Sequence, residues 1–568
     1  MKKQWRTKEL KTAIPDLAEY SPLILRLLAL RGITEAEAIR DFLDPDYAKL
    51  HDPFLFQDMQ KAVERIERAI AQKEIIAIYA DYDADAVTAC AVAYLALKKL
   101  GAQVIYYIPD RFSEGYGMSA EGIKQLHAQN AKVIITVDCG INARAEALIC
   151  RELGIDLIIT DHHEVIGDLP EAFAVINPKN PADNYPFLYL TGVGVAYKLV
   201  QGLFSRITNY ELRITDGWEK WLLDLVAIGT VADLQSLTGE NRILVNFGLK
   251  VLPKTRWPGL AALIKTAGIE GQKFDTFTLG FILAPPINAA GRIKHADVAF
   301  KLLISDDKAE AEQLAKEVID LNRQRQILTD QVLSEARAQA ELNLDKKVLL
   351  VSGTDWPKGV VGLVAGKLME EHNRPVLVVS VDAAGAATGS ARSIAEFDIV
   401  AGLGYSQEHL EKYGGHTQAA GFSTSHERLE NLHQKLLEYA ESLSLTLSDP
   451  VLHIDAEVSP SDVSWPTLEL IEKLAPFGMG NPKPKLSGRD LEILEYRTVG
   501  NANQHLKLKA KFGDHRLGAI AFNQGFLANQ LILGTKFDAV FELTANEWNG
   551  RKDMEFKIID MRIINQKL

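Results

Sequence analysis

The chain has 568 residues, 47% of them hydrophobic and 24% charged, with a formal net charge of −12. That length supports three or four cores, and no run approaches the roughly 20 apolar residues of a membrane span, so a cytoplasmic protein without a membrane partner is expected. The opening MKKQWRTKELKTAIPDL lacks an apolar targeting core, Cys90, Cys139 and Cys150 are too few for a disulfide framework, and the acidic total excludes only a protein that coats nucleic acid over its whole surface.

Residues 1–50 read as an N-terminal extension without assigned chemistry, carrying a short helix over 22–30. Over 51–304, apolar runs at 75–80, 104–108, 133–137 and 157–160 alternate with helices at 87–100 and 143–153, the order of a doubly wound parallel sheet in an α/β domain. Residues 305–343 contain neither Gly nor Pro and start with the capping candidates Ser305 and Asp306. Leu314, Val318, Leu321, Leu328 and Val332 recur there at helical spacing. One long connecting helix is expected, a strut leading into a smaller α/β domain over 344–445. In the last segment, 446–568, Leu506, Leu508, Ala510 and Phe512 alternate with Lys507, Lys509 and Lys511. That period of two predicts a half-buried strand with a basic outer ladder. With strand-like runs at 537–543 and 555–564 it points to a small β-barrel of OB-fold type.

The chemistry concentrates at the strand ends. ADYDADA places Asp81, Asp83 and Asp85 between an apolar strand and a helix, where open α/β sheets bind ligands. A helix cap explains one or two of these carboxylates, not three. Their repulsion demands a cation, and close-packed oxygens suit a hard divalent ion. VIITVDCG then delivers Asp138, and LIITDHH delivers Asp161, His162 and His163, each at the end of a following strand. Imidazole among so many carboxylates suits Mn²⁺, or Mg²⁺ with softer help. Asp233 closes an apolar helical run, and Cys139 is read as packing. Two cations roughly 3.5–4 Å apart would clamp a phosphoryl group and lower the pKa of a bridging water.

DYDAD, TVDCGI and TDHH resemble the successive motifs of the DHH phosphoesterase superfamily. PDRFSEGYGMS, LTGVGVAYKL, DLVAIGTVADLQSLTGENR and INAAGR narrow the resemblance to the bacterial RecJ exonucleases. GSARSI and GGHTQAAGFS are similar to that family's DHHA1 domain, and APFGMGNPKP to its C-terminal portion. The resemblance implies that Asp83, Asp85, Asp138, His162 and Asp233 ligate two divalent cations, Mn²⁺ or Mg²⁺, with Asp138 bridging. Asp81 and Asp161 would support the ligands, and His163 would contact the scissile phosphate. Arg111, with Tyr116 in the same segment, Ser390 and Arg392 would hold the DNA 5′ end, His416 would lie along the strand path, and Lys507 on the barrel would meet backbone phosphates.

The activity implied is a single-strand-specific 5′ to 3′ DNA exonuclease releasing mononucleotides in repair and recombination. It would act as a monomer alongside single-strand binding protein and a helicase. The alternatives are a short-oligonucleotide or cyclic dinucleotide phosphodiesterase and a catalytically idle replication scaffold; an idle fold would have no use for such mutual repulsion. Three departures stand out. Ala86 replaces the usual Gly and is expected to strain a turn with positive φ. Pro286 stands where an Arg phosphate contact is usual, and Pro357 where a His often follows Trp. Arg292 or Lys294 would compensate for the missing Arg.

Overall fold

In the computed structural model, residues 3–564 are described apart from 16, 112, 116, 207–216, 448 and 549–550. The chain divides into two units, one of Asp52–Asp233 with Gly248–Asp449, the other of Met1–His51 with Leu234–Phe247 and Pro450–Leu568.

The first unit is built on a parallel sheet whose strands run in the order Gln103–Tyr107, Ile75–Ala80, Ala131–Val137, Asp156–Thr160, Ala174–Ile176. Its central strands are buried nearly throughout, which is why they read as continuous apolar runs rather than as alternation. The chain direction across the sheet reverses between Ile75–Ala80 and Ala131–Val137, and the crevice beyond a reversal of this kind is where such sheets bind ligands.

The long helix covers Lys308–Glu341, 34 residues and roughly 50 Å at 1.5 Å per residue. Its cap is Asp307, whose carboxylate accepts the Glu310 amide at 2.8 Å, rather than Ser305 or Asp306. It is not a bare strut: Ala311, Ala315, Val318 and Leu321 are buried along its first half, and Val332, Leu333, Ala336 and Ala340 along its second. The second half shares a core with strands Leu349–Thr354 and Val376–Val381 and with helix Lys358–His372. Those strands are parallel to each other. The sheet continues antiparallel through Ala386–Arg392, Ala419–Ser425 and Lys412–His416.

In the second unit, Leu486–Val499 pairs on one side with His505–Phe512 and on the other with Lys536–Trp548. His515–Ala521 and Arg551–Ile563 complete a closed five-stranded barrel. Closure leaves its strands no open edge. The alternation at 505–512 is realised: Leu506, Leu508, Ala510 and Phe512 are buried while Lys509 and Lys511 are exposed. Residues 1–50, read from sequence as an extension, belong to this unit, which takes in His51 as well. Gln4–Thr7 pairs in parallel with Val451–Ile454, and Leu23, Ile24, Leu27, Leu28, Ile39 and Phe42 join the barrel core. The segment 234–247, which sequence patterning does not separate from 51–304, belongs here too. Arg242 ties it in by donating to the carbonyls of Phe42, Lys473 and Leu474 at 2.7–3.1 Å.

Candidate active site

The strand Ile75–Ala80 ends at Asp81, and two residues later Asp83 caps the helix Ala84–Lys99 by accepting the Ala86 amide at 3.0 Å. Asp85 lies in that helix's first turn and is 1% exposed. Its two oxygens accept the amides of Gly192, at 2.7 Å, and Val193, at 2.9 Å. Those amides open the helix Gly192–Arg206, so a helix N-terminus stabilises the carboxylate.

Asp138 follows Ala131–Val137 with φ of 61°, a left-handed turn held where its amide donates to the Thr160 carbonyl at 3.0 Å. Gly192 leaves it the necessary space: a Cβ there would fall 2.3 Å from Asp138 Oδ1 and 2.4 Å from its Cβ. From the next strand end, His162 Nε2 lies 3.1 Å from Asp138 Oδ1, 3.8 Å from Asp233 Oδ2 and 4.0 Å from Asp85 Oδ2. Asp233 itself terminates the buried apolar helix Leu223–Ala232. Asp161 is saturated. Its oxygens accept the amides of Ile141, His162 and His163 at 2.7–3.2 Å, and His163 Nδ1 sits 2.7 Å away.

Crowding sets the protonation of this cluster in the absence of a cation. Burial, then the Asp83 charge, pushes Asp81 up to about 8. Burial, then neighbouring carboxylates, pushes Asp85 and Asp138 well above the usual carboxylate range. Burial, reinforced by His163, pulls His162 down to about 3, leaving a neutral imidazole. For Asp161, burial is outweighed by its bonds to His163 and the Ile141 amide, and its carboxyl stays below the usual range. A buried, mutually repelling acid set that raises its own pKa is the signature of a functional site.

The residues fit divalent cations. One ligand atom each from Asp85, His162 and Asp233 lies within 4.8 Å of the others, and so does one each from Asp138, His162 and His163. Asp81 Oδ1 and Asp138 Oδ1 are buried without a hydrogen-bond partner among the described residues. Oxygens left over in this way, beside a neutral imidazole, are donors for a hard cation. Asp83 falls outside both groups, one of its oxygens serving as the helix cap.

Comparison with known proteins agrees in three segments and over the whole length. Family models match at 75–230 (DHH family, N-terminal domain), 345–442 (DHHA1 domain) and 454–560 (RecJ OB domain). The single-stranded-DNA-specific exonuclease RecJ of Bacillus subtilis is 40% identical over 98% of this chain and 70% of its own length. That of Escherichia coli is 33% identical over 98% of both. The chain belongs to the RecJ family. A crystal structure of RecJ from Thermus thermophilus in complex with Mn²⁺ superposes with a TM-score of 0.81 at 29% identity, covering 99% of this chain and 80% of that one.

Within this RecJ-family fold the remaining expected residues separate. Arg111 stacks over the Tyr82 ring at 4.8 Å, and Ser390 and Arg392 lie on Ala386–Arg392, with Arg392 Nη1 3.2 Å from Ser390 Oγ. His416 ends the exposed edge strand Lys412–His416. Lys507 stands on the barrel opposite Arg497, in the other unit. Tyr116 lies outside the described residues. The strain expected at Ala86 is absent. It occupies a helical first turn, and the positive φ falls on Asp138 instead. Pro286 sits in the helix Ala284–Ile293, which runs on directly from the π-helical stretch Thr278–Leu283, and Pro357 caps Lys358–His372, a position that tolerates a missing amide. Of the two proposed substitutes, Lys294 pairs with Glu317 at 2.8 Å, whereas Arg292 lies within electrostatic reach of Asp83 and Arg111.

Three contributors escaped the sequence reading. Asn288 accepts the Ala84 amide at 2.9 Å and so anchors the helix carrying Asp85. Gly192 supplies both an amide and clearance, and Gly229 keeps a Cβ away from Thr88 and Asp85. All three stand inside quoted family segments, but only contacts distant in sequence reveal what they do.

Proposed function

We propose that this chain is a single-strand-specific 5′ to 3′ DNA exonuclease that hydrolyses phosphodiester bonds to release mononucleotides in repair and recombination. The observation that carries it is the convergence of Asp85, Asp138, His162 and Asp233 at the sheet's reversal point, in a chain alike over its full length to the RecJ exonucleases. Two cations, Mn²⁺ or Mg²⁺, held by Asp83, Asp85, Asp138, His162 and Asp233, would supply Lewis acidity and a hydroxide at neutral pH.

The chain's own groups do the rest. The amides of Gly192 and Val193 keep Asp85 in place. Asp161, gripped by three amides, holds His163 Nδ1 and leaves Nε2 to meet a nonbridging oxygen of the scissile phosphate. Arg111, Ser390 and Arg392 supply guanidinium and hydroxyl donors for the 5′ phosphate, which fixes direction. His416 and Lys507 contact the strand further along; Lys507 acts through charge and is therefore salt-sensitive. We assign the protein to the cytoplasm as a monomer that works with single-strand binding protein and a helicase.

The test uses single-stranded and duplex DNA labelled at either end, with Mn²⁺ or Mg²⁺, beside Asp138→Ala. Shortening from the 5′ end of single strands, abolished by the substitution, is expected. Shortening from the 3′ end, or equal attack on duplex, refutes the proposal.

A further inference from the structure

Three arginines of the first unit, Arg111, Arg325 and Arg392, come within electrostatic reach of a fourth, Arg292. Burial, then Arg111 and Arg325, pulls Arg292 down to about 10, with Arg392 adding to the effect and Asp83 opposing it. Among the described residues none of the four lies within salt-bridge distance of a carboxylate. Arg292 donates to the Gly359 carbonyl at 3.3 Å, and Arg325 commits only its Nε, to Asn322 Oδ1 at 3.1 Å. Arg325 feels the charge of Asp330 and Arg292 that of Asp83, but half-buried guanidinium groups without a contacting carboxylate still call for anions. A single terminal phosphate bound by Arg111, Ser390 and Arg392 leaves Arg325 unaccounted for.

Arg325 and Arg392 face a common cleft of about 560 Å³, whose wall includes Asp330 of the long helix and Gly362, Gly366 and Glu370 of the helix Lys358–His372. The i, i+4 spacing puts these three on one helical face. A Cβ on Gly362 would stand 3.0 Å from Ser390 Oγ and 3.4 Å from Arg392 Nη2, whereas one on Gly366 would meet nothing within 4 Å. The cleft therefore begins at the terminal-phosphate residues and runs about 5.4 Å per turn along bare backbone. Glu370 bounds it one turn beyond Gly366. Lys367, also in the wall, is already paired with Asp330 at 3.3 Å. With Asp330 in contact with Lys367 rather than with Arg325, Arg325 is the cation left to face an anion placed past Arg392.

We propose that this cleft is a second anion subsite, formed chiefly by Arg325, that takes the β- and γ-phosphates of a single strand ending in a 5′-triphosphate. The inference rests on the exonuclease reading above. The bond cut is unchanged: water oxygen adds to the scissile phosphorus, the bond to the terminal nucleotide's 3′ oxygen breaks, and that oxygen takes a proton. The first product is then a nucleoside 5′-triphosphate, and every later one a monophosphate.

The test compares oligodeoxynucleotides of one sequence ending in 5′-hydroxyl, 5′-monophosphate or 5′-triphosphate, using the full chain. It reads competitive binding and the mass of the first nucleotide released. The wild type is expected to bind the triphosphate strand about tenfold more tightly than the monophosphate strand, one added charge-assisted contact, and to release a nucleoside triphosphate first. Arg325→Gln should remove that preference. Gly366→Leu, whose side chain enters open space, should remove it by filling the cleft, and serves if Arg325→Gln does not fold. Normal removal of monophosphate ends together with equal or weaker binding of triphosphate ends overturns this inference and leaves the exonuclease reading standing. Failure to shorten the monophosphate strand from its 5′ end overturns that reading, and this one with it.

Discussion

Gly192→Ala tests whether the acid cluster depends on a single missing methyl group. The added Cβ would lie 2.3–2.5 Å from Asp138 Oδ1, Cβ and Cγ, where ordinary contact begins at 3.4 Å. The two must therefore separate by about 1 Å, a misplacement that costs on the order of 100-fold in rate. Asp138 has little room to yield, since its amide is held by Thr160. Gly192 cannot retreat without loosening its 2.7 Å hydrogen bond to Asp85. Overpacking of this kind also costs about 1–3 kcal/mol of stability. The assay is the initial rate of nucleotide release from a 5′-phosphorylated single strand at saturating Mn²⁺, beside thermal unfolding and calorimetric Mn²⁺ titration. A fall of about two orders of magnitude with weakened Mn²⁺ binding and a folded protein is expected. Activity within threefold of wild type at unchanged Mn²⁺ affinity would show that the contact between Gly192 and Asp138 does not position the site.

Asp138→Asn should abolish activity while stabilising the metal-free protein by roughly 1 kcal/mol, because Asn tolerates positive φ and one repelling charge disappears. The sign follows from linkage: a carboxyl whose folded pKa is raised contributes stability below its unfolded pKa, near 4, and loses it as pH rises through the folded value. Unfolding with chelator should therefore show wild type weakening between about pH 4 and pH 8, where Asp81 titrates. The variant's advantage should grow as pH rises above about 4, because the Asp138 carboxyl is itself held well above the usual range, and a metal-free variant less stable than wild type at pH 8 would contradict this account. Asp161→Asn turns a donor toward groups that already donate to that carboxylate. A loss of about 1–3 kcal/mol and a fall in kcat larger than any rise in KM are expected, and an unchanged kcat would remove Asp161 from its role. Leu27→Ala should cost about 2–5 kcal/mol in the barrel unit, since Leu27 is fully buried in its core. Unfolding at wild-type temperature would mean that residues 1–51 are not part of that core.

Much of this protein was legible locally. The strands Ile75–Ala80, Ala131–Val137 and Asp156–Thr160 are apolar runs because both their faces are covered, and each acidic residue or His of the cluster except Asp233 lies within five residues of the end of one of them. Strand ends of a parallel sheet point the same way, so their convergence follows from the pattern alone. The period of two at 505–512 exposed the barrel by the same logic. Asp233 was identified only through resemblance, because a carboxylate at a helix end looks like any surface Asp until the fold carries it to within 3.8 Å of His162.

Tertiary structure alone decided the rest. Residues 1–51 show the apolar spacing of any short amphipathic helices, and nothing local says that their partner is a barrel over 400 residues later. Asn288, Gly192 and Gly229 act by an acceptor, an amide and a vacancy offered to residues far along the chain, and such roles leave no periodic trace. The sequence alone determined the elements and the chemistry at their ends, because hydrophobic period and strand termini are local properties. Which side chains have room to face one another was decided by packing, because clearance and burial exist only between segments brought together by the fold.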